Sequence, residues 1–552
     1  MKTTLIVIVL IVAGLAVYKV LTPSSAPVVQ QPASTQTAAA PASGSPATPS
    51  AKQEAVAGEF VAPSSTVTPL DPAATYTAKD NTVTIEISEY AGYAGLIAAN
   101  NGLAPSEDSY FYQKHGFKVN LVVSEEESWS PLNSGRIGGA TSTVDVLAIY
   151  GKQLQAVVPV QLSYSRGADA IVVKNNINRI NDLKGKVVIT AQFTETDFLI
   201  RYLAQEAGLK ILGISALSER QPDAVNLLFT SDGFGAGDAF LENLDNDAVA
   251  ACVTWEPKVS EVVNKSNSQA KVLISNRNLL VVGDVLMLNK GFAKQNPKIV
   301  AGLVDGILYG NNLLTAQPSK IYAGLKAAFK WSEADAKEEL SKVHLTNFPE
   351  NIQFFKGDID ASNTFGGIYQ AAVYAYPSSM RHNVPWEQLI TTTALDEVAA
   401  SYKTQVANIQ PIRAEGAKSS IENNPTLSKD IKFKFQPNSH ELLDDPENEK
   451  FCTNVANLLR ISPGSTVLLR GHVDNARVEE FRQQGGEALV RSMALRAMQL
   501  SRQRAESVYK CLTVSHNVPK DRIDLVSRGW EEPTAGTPDD NRRVEIYWFT
   551  VE

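Results

Sequence analysis

The sequence predicts an α/β protein in which two folded regions follow an N-terminal segment that lacks a core. Between about residues 80 and 410, strand-like runs alternate with helical runs, which is typical of parallel sheets with helical crossovers. Between residues 429 and 552 the order is β-α-β-α-β-β, which indicates a helix layer on one mixed sheet. The chain has 552 residues, of which 44% are hydrophobic, so two or three ordinary globular cores can form.

The N-terminus has the pattern of an export segment. Lys2 precedes an apolar run over residues 5–17, as a basic region precedes the apolar region of a signal. The run is shorter than the roughly 20 residues of a membrane span, but it reaches Leu21 if Lys19 extends to the interface. No Cys lies just after the run, which excludes lipoprotein processing. A cleaved signal peptide and an uncleaved anchor over residues 1–21 both fit, and the poor cleavage site at residues 14–16 favours the anchor.

A segment rich in Pro, Ala, Ser and Thr follows the apolar run. Between residues 23 and 72 the only charged residues are Lys52, Glu54, Glu59 and Asp71. Such a composition offers too little large apolar surface to form a core. Residues 22–78 are therefore predicted to be a disordered linker, with an average end-to-end distance of about 40 Å for a flexible coil.

Charge and cysteine content narrow the classes of partner and of fold. The net charge of −8 and a pI near 5.5 speak against a nucleic-acid partner. Three cysteines are too few for a disulfide framework. Cys452 and Cys511 fall on the two predicted helices of the C-terminal region, where a disulfide and two buried thiols both fit. Cys252 lies in an apolar run and is predicted to be a core residue.

Three short motifs mark the C-terminal region. GHVD at residues 471–474 ends a predicted strand, LSRQRA at 500–505 lies on a helix predicted over 487–512, and NRRVE at 541–545 precedes the last strand. Over residues 429–552 these motifs resemble the OmpA-like peptidoglycan-binding domain. The resemblance implies that Asp474 receives the ammonium and Arg504 the carboxylate of a diaminopimelate, while Arg543 is a further binding residue or a structural partner. A carboxylate and a guanidinium fork suit a zwitterionic head group.

The region departs from the family pattern at three places. Ala497 stands where the family has Asn, Val473 replaces the commoner Thr, and residues 476–490 are additional. These departures leave the fold prediction unchanged and bear on the binding prediction. The alternative is that Asp474 caps a strand end and that Arg504 is a solvated helix residue.

A second resemblance covers most of residues 80–345. GADAIVVK at 167–174, INDLKGKVV at 180–188 and AACVTWEP at 250–257 are similar to the type-2 periplasmic binding proteins for nitrate, sulfonates, taurine and thiamine precursors. The resemblance implies two α/β lobes over residues 79–414 that close on a small solute at the carboxyl ends of their strands. Residues 330–414 are too aromatic for a linker and are expected to pack on the second lobe. A linker over 415–428 then leads to the C-terminal domain.

Polar residues at predicted strand ends are the candidate ligand contacts. Segments around residues 141, 163 and 194 are expected to form helix N-termini, which offer N–H groups to a solute. The candidates are Ser88, Tyr90, Thr141, Ser142, Ser165, Arg166, Thr194, Thr196, Trp255, Glu256 and Asp284.

Each candidate also has an ordinary structural explanation. Thr141 and Thr194 fit helix caps, Arg166 fits an ion pair with Asp169, and Trp255 fits the core. The expected lining, which also includes Glu89, Glu195 and Asp197, is acidic. It leaves cationic, zwitterionic and sulfonate ligands open.

The sequence carries no enzyme signature. It has no Gly-x-Ser-x-Gly elbow, HExxH, P-loop or CxxC, and none of its six histidines is spaced with a second as metal ligands. We expect no cofactor and no metal. The prediction is a solute-binding protein of the cell envelope, anchored in the inner membrane and tied to peptidoglycan, whose partners are a small molecule and an inner-membrane permease or receptor. The alternative is a structural tether or sensor whose binding-protein fold serves protein contacts. An open cleft between the lobes favours the solute-binding function. A cleft filled by the protein's own side chains favours the structural alternative.

Overall fold

The computed structural model describes residues 58–124, 129–357, 363–410, 425–436 and 439–550. The predicted signal or anchor over residues 1–21, most of the predicted tether and most of the 415–428 linker lie outside the described residues. Within the described ranges the strands form three mixed sheets, and helices pack against them.

The strands are numbered in chain order. They are β1 Thr82–Ile87, β2 Lys118–Val123, β3 Gly139–Thr143, β4 Ala156–Ser165, β5 Asp169–Lys174, β6 Val187–Ala191, β7 Lys210–Gly213, β8 Ala224–Thr230, β9 Val249–Trp255, β10 Ala270–Ser275, β11 Gly283–Asn289, β12 Val343–Leu345, β13 Leu427–Ile431, β14 Thr466–Gly471, β15 Ile523–Ser527 and β16 Val544–Phe549.

The α-helices are numbered in the same way. They are α1 Ala94–Asn100, α2 Tyr110–His115, α3 Trp129–Asn133, α4 Val146–Tyr150, α5 Glu195–Glu206, α6 Gly233–Glu242, α7 Lys258–Lys265, α8 Lys290–Gln295, α9 Pro297–Ala316, α10 Tyr322–Phe329, α11 Glu333–Ser341, α12 Phe348–Lys356, α13 Phe365–Ala375, α14 Thr393–Val398, α15 Pro446–Ile461 and α16 Val478–Lys510.

Two six-stranded sheets form two lobes. The first lobe has the order β12-β4-β11-β3-β1-β2 and the second β10-β5-β9-β6-β8-β7. The chain passes from β4 of the first lobe to β5 of the second, and it returns from β10 to β11 through residues 276–282. The sheets are mixed because the strands flanking these crossings, β11 and β5, run antiparallel to their neighbours. The two-lobed α/β prediction is confirmed, although the purely parallel sheets suggested by the alternation are not found.

Residues 58–78 pack on the lobes, which shortens the predicted tether. The N–H of Val61 donates to the carbonyl of Phe229 at 2.8 Å, and Val67 and Tyr76 are buried. The ring of Tyr76 meets that of Phe292 edge-on, with centroids 5.3 Å apart. A few apolar side chains are enough to hold this stretch, although its overall composition resembles that of a linker.

Residues 330–410 form helices, as expected, but most of their contacts are with the first lobe. Strand β12 pairs with β4, and the hydroxyl of Tyr402 donates to Asp305 of α9 at 2.8 Å. Helix α9 is the one described helix that is long and apolar enough to cross a membrane, and 67% of its most apolar stretch is buried inside the fold. We therefore interpret α9 as a core helix of the first lobe.

The C-terminal domain has the β-α-β-α-β-β order that the sequence predicts. Its sheet order is β13-β16-β14-β15, and β13 begins at Leu427, inside the predicted linker. Helix α16 is longer than expected because the additional residues 476–490 contribute its first part, which is separated by non-helical Gly485 and Gly486. Cys452 and Cys511 form a disulfide with Cα atoms 6.4 Å apart, which decides between the two alternatives for this pair.

Candidate functional site

A cavity of about 550 Å³ opens between the two lobes, at the ends of several strands. The first lobe contributes residues from β1, β3 and β11, and the second contributes the segments that follow β6, β8 and β9. This is where solutes bind in open α/β folds. The residues that line it are Glu86, Ile87, Ser88, Tyr90, Tyr93, Ser124, Trp129, Thr141, Ser142, Thr143, Asp169, Thr194, Glu195, Ser231, Asp232, Gly233, Trp255, Val282 and Asp284.

Seven of the eleven candidate ligand contacts line this cavity, and both lobes contribute to the set. They are Ser88, Tyr90, Thr141, Ser142, Thr194, Trp255 and Asp284. These seven candidates therefore lie together at the cleft, whereas the other lining residues were not among the candidates.

Asp284 lies at the start of β11 and is 2% exposed. Its Oδ2 accepts hydrogen bonds from the hydroxyls of Tyr90 at 3.3 Å and Ser163 at 2.5 Å. Burial raises the pKa of Asp284 well above its ordinary value, and the nearby carboxylates of Asp169 and Asp145 raise it further. The two hydroxyl donors oppose this rise because they stabilise the ionised form. The cleft thus holds a carboxyl group that gains from any positive charge brought next to it.

Asp169 faces the same cavity from the first residue of β5. Its Oδ2 accepts a hydrogen bond from Nδ2 of Asn276 at 2.7 Å. Burial raises the pKa of Asp169 to about 6, against the effect of the neighbouring Ser165 hydroxyl and of the hydrogen bond from Asn276. Asp145, just beyond β3, is fully buried, and burial raises its pKa to about 7. Three buried carboxyl groups therefore lie near one another in or beside the cleft.

Aromatic rings form much of the remaining cavity wall. Trp255 lies at the end of β9 with its ring packed against Phe234, with centroids 5.2 Å apart. Gly233 lies so close to the Trp255 ring that a side chain there would collide with it. From the first lobe, Tyr90 and Tyr93 meet edge-on with centroids 5.2 Å apart. Both lobes thus present aromatic surface next to carboxyl groups.

Arg166 and Glu256 lie outside this cavity, contrary to the prediction. Arg166 donates to the carbonyls of Arg277 at 3.3 Å and Gln410 at 2.9 Å, so its predicted ion pair with Asp169 is also absent from the described contacts. Glu256 is 2.7 Å from Lys342 and accepts from the N–H of Ser260 at 2.9 Å. Because side chains alternate along an extended chain, Trp255 points into the cleft and the next residue points away.

Ser165 and Thr196 are fully buried and do not line the cavity. Strand β4 extends to Ser165, so this residue belongs to the sheet and not to a loop at its end. The hydroxyl of Thr196 lies 3.0 Å from that of Thr190 and 2.7 Å from that of Thr194. Neither side chain therefore reaches the cavity wall.

Of the three expected helix N-termini, the structure forms one at the cleft. Thr194 precedes α5, but Thr141 and Ser142 belong to β3 and Ser163 belongs to β4. A second N-terminus, that of α6, was missed. Its N-cap Asp232 accepts a hydrogen bond from the N–H of Gly235 at 2.8 Å. The sequence Ser231-Asp232-Gly233 at the end of a buried strand was the available signal, since Asp is a favoured N-cap residue.

The described lining is acidic. It contains five carboxyl groups and no Lys, Arg or His side chain; the carboxyl groups belong to Glu86, Asp169, Glu195, Asp232 and Asp284. Two other acidic residues expected there lie elsewhere. Glu89 accepts from the indole of Trp331 at 2.6 Å, and buried Asp197 pairs with Arg201 at 2.6 Å.

The predicted wall-contact residues lie at one end of the C-terminal sheet. Arg504 on α16 is 5% exposed, and its Nη1 donates to the carbonyl of His472 at 3.5 Å. Asp474 lies two residues beyond His472, and its Oδ2 accepts from Nε of Arg542 at 2.8 Å. Burial and the nearby Arg542 guanidinium lower the pKa of Arg504, while Asp474 opposes the shift. Asp474 and Arg504 are thus electrostatic neighbours, and Arg542 is a member of the group that the sequence reasoning missed.

Arg543 has a structural position. It is 3% exposed, and its Nε donates to Oε1 of Glu545 at 2.9 Å. Burial alone would raise the pKa of Glu545, but His472 and Arg543 outweigh it and lower that pKa to about 2. Arg470 also contacts Glu545, at 2.8 Å. Arg543 therefore belongs to a buried ion network beneath the predicted site. This position agrees with the second of the two predicted roles, that of a structural partner.

Two family models match separate parts of the chain. The NMT1/THI5-like family model matches residues 102–321, and the OmpA family model matches residues 434–546. The chain therefore has a solute-binding protein fold followed by an OmpA domain of the peptidoglycan-binding type, and these families indicate the cell envelope. They are families of binding proteins and not of enzymes. No curated protein matches the sequence significantly.

Solved structures with a similar arrangement include several binding proteins. The periplasmic aliphatic sulphonate binding protein SsuA from Escherichia coli is 16% identical, covers 48% of this chain and 85% of its own, and has a TM-score of 0.39. The periplasmic nitrate-binding protein NrtA from Synechocystis PCC 6803 is 14% identical, with coverages of 59% and 90% and a TM-score of 0.40. A ligand binding component of an ABC-type import system from Staphylococcus aureus is 14% identical, with coverages of 57% and 98% and a TM-score of 0.42.

Proposed function

We propose that this chain, which joins an NMT1/THI5-like solute-binding domain to an OmpA domain, captures a small polar organic ligand between its lobes and is held to peptidoglycan by its C-terminal domain. The observation that carries the proposal is the cleft itself. It is open, its volume of about 550 Å³ is within the range of small-molecule sites, and both lobes supply polar groups to it. A fold that served only as a tether would have no need of an open cleft with buried carboxyl groups.

The proposed wall contact is supported by the neighbouring charges of Asp474 and Arg504. A diaminopimelate head group carries an ammonium and a carboxylate, and these two side chains offer the opposite charges. Arg542, bound to Asp474, is 48% exposed and must release part of that contact when an ammonium arrives. The ion pair between Arg542 and Asp474 competes only weakly with the ammonium, since surface ion pairs contribute about 0–1 kcal/mol to stability.

We also propose the arrangement of the remaining segments. Residues 1–21 anchor the chain in the inner membrane and residues 22–57 act as a tether, so that the folded domains reach the wall from the membrane. The lobes then deliver their solute to an inner-membrane permease or receptor. Limited proteolysis tests the tether: the first cuts fall before residue 58, because the packed residues 58–78 are protected.

Ligand capture is tested by native mass spectrometry of the purified protein and by thermal shift with amines, amino acids, sulfonates and pyrimidines. A ligand at 100 times its Kd adds about 2.7 kcal/mol to the free energy of unfolding. Trp255→Ala reduces the shift, whereas Arg166→Ala, outside the cleft, leaves it unchanged. Absence of both a co-purified molecule and any shift contradicts the proposal.

Wall binding is tested by sedimentation with purified sacculi. Arg504→Lys keeps the charge and the stem but loses the guanidinium fork, and Asp474→Asn loses the charge. Each loses a charge-assisted hydrogen bond worth roughly 1.5–3 kcal/mol, so binding weakens about tenfold to a hundredfold. The matched control is Arg502→Lys on the same helix, where the exposed side chain pairs only with Glu506 among the described residues. Equal pelleting of all four proteins contradicts the wall contact.

A further inference from the structure

The chemistry of the cleft bears on the charge of its ligand. Sites for sulfonate, phosphate or carboxylate groups need free N–H donors or cationic side chains. Among the described residues of the lining there is no cationic side chain, and five carboxyl groups are present. An anion held between the lobes would therefore face acidic groups from both sides, and two unit charges 4 Å apart interact by about 4 kcal/mol at an effective dielectric constant of 20.

Helix N-termini could still attract an anion, but acidic side chains stand at both of those at the cleft. At α6, Asp232 accepts from the N–H of Gly235 at 2.8 Å. At α5, the first turn carries Glu195 and Asp197, and Asp197 accepts from the N–H of Phe193 at 3.1 Å. Negative groups at these positions neutralise the helix dipole that an anion would otherwise use.

Polar atoms without a described partner remain in and beside the cleft. Asp284 is 2% exposed, and both of its described hydrogen bonds fall on Oδ2, so Oδ1 has no donor among the described residues. Thr143, 5% exposed and part of the lining, has an Oγ1 without a partner in the same set. A ligand N–H or ammonium would donate to Oδ1 of Asp284 and to the hydroxyl oxygen of Thr143.

The aromatic wall fits the same class of ligand. Tyr90, Tyr93, Trp129 and Trp255 all line the cavity. A cation over the face of an aromatic ring gains about 0.5–2 kcal/mol, more when water is excluded. Carboxyl groups surrounded by aromatic rings are the chemistry that recognises amines and quaternary ammonium compounds.

We propose that the solute captured in this cleft is a small organic cation, an amine or quaternary ammonium compound whose apolar body lies against the aromatic wall and whose charge is directed to Asp284 and Asp169. This inference rests on the proposed capture function and names its class of ligand. The ligand would also supply a counter-ion that stabilises the ionised form of the buried Asp284 carboxyl group.

The test is isothermal titration calorimetry on the full chain at pH 8 with five probes. Choline, putrescine and tetramethylammonium carry positive charge, 3,3-dimethylbutan-1-ol is the neutral isostere of choline, and ethanesulfonate is an anion. We expect at least one of the cations to bind more than ten times tighter than both the neutral and the anionic probe. Tighter binding of ethanesulfonate would overturn the cation inference and leave ligand capture standing. Heat from none of the five also overturns the inference, and a co-purified molecule then decides separately whether capture survives.

Substitutions in the cleft test whether the measured cation affinity comes from the cleft residues. Asp284→Asn keeps the shape of the side chain and removes its charge, so the affinity for the best cation falls at least tenfold. Trp255→Leu replaces the aromatic ring and weakens the same cation several-fold. Asp238→Asn, a matched change outside the cleft in the second lobe, leaves the affinity unchanged. Equal affinity in Asp284→Asn and the unmodified protein would overturn the assignment of the charge to this carboxyl group, whether or not Trp255→Leu binds.

Discussion

The N–H of Leu280 donates a hydrogen bond of 2.8 Å to the carbonyl of Ile461, the last residue of α15. Leu280 lies in residues 276–282, one of the two chain segments that cross between the lobes. The C-terminal domain therefore contacts a segment about which the lobes would rotate during closure. Further contacts join the same domain to the second lobe, where the N–H of Ile180 donates to the carbonyl of Thr426 at 3.0 Å.

Asn181 provides the clearest test of this contact between domains. Its Nδ2 donates to the carbonyl of Ser428 and its Oδ1 accepts from the N–H of Ser428, both at 2.9 Å. Asn181→Ala removes both bonds and should cost about 1–3 kcal/mol of contact energy. In calorimetry of the full chain, we expect the C-terminal domain to unfold at a temperature lower by several degrees. Asn178→Ala, an exposed neighbour, is the control; equal curves for both variants would show that the contact does not stabilise the domain.

How far the sequence predicts the cleft depends on the position of each residue along its strand. Ser88 and Asp284 follow or begin buried strands, and polar residues at strand ends meet at one edge of the sheet. Ser165 and Arg166 do not line the cavity because β4 is ten residues long and continues beyond the apolar run that marked it. Glu256 does not line the cavity because an extended chain alternates its side chains, and the sequence does not show which of two neighbours faces the cleft.

The same limit explains the C-terminal site. Arg542 and Arg543 are adjacent and chemically identical, so motif matching could not separate them. In the structure Arg543 points inward to Glu545, whereas Arg542 is half-exposed and binds Asp474. The β-α-β-α-β-β order was predictable because periodicity and motif order are local, but this division of roles depends on tertiary packing.

The two arginines should therefore differ sharply when they are replaced. Arg543→Ala leaves the carboxylate of Glu545, itself 6% exposed, with fewer cationic partners, and removal of one member of a buried ion network costs about 3–5 kcal/mol. Arg542→Ala removes a surface ion pair and should cost less than about 1 kcal/mol. Urea unfolding of the full chain measures both values. Similar midpoints for the two variants would refute the structural role assigned to Arg543.

The Cys452–Cys511 disulfide should stabilise the C-terminal domain. It joins positions 59 residues apart, and loop-closure entropy for such a loop corresponds to about 4 kcal/mol. A Cys452→Ala, Cys511→Ala double variant should melt at a lower temperature than the unmodified protein. Dithiothreitol should lower the melting temperature of the unmodified protein alone. The double variant keeps only Cys252, which is buried and unpaired, so it has no disulfide for the reductant to break. An equal fall in melting temperature in the double variant would therefore contradict the role of the disulfide.

The empty lobes should become less stable as pH rises from about 4 to 7. Burial raises the pKa of Asp145 to about 7 and that of Asp169 to about 6 in the folded protein, against about 3.9 when unfolded. In this interval the folded state holds more protons than the unfolded state, so the free energy of unfolding falls with increasing pH and then levels off above pH 7. Acidic neighbours act in the same direction as burial. Asp197 raises the pKa of Asp145, and Glu256 raises the pKa of Asp169.

Asp145→Asn isolates this effect from the cleft, because neither carboxylate oxygen of Asp145 accepts a hydrogen bond among the described residues. Asparagine carries no charge to bury, so the variant should be more stable than the unmodified protein at pH 8, by an amount on the order of a few kcal/mol, and similar to it at pH 4. Thermal unfolding between pH 4 and 8 provides the measurement, with the exposed Asp108→Asn as control. A stability difference between Asp145→Asn and the unmodified protein that is the same at every pH would mean that Asp145 does not titrate in this range.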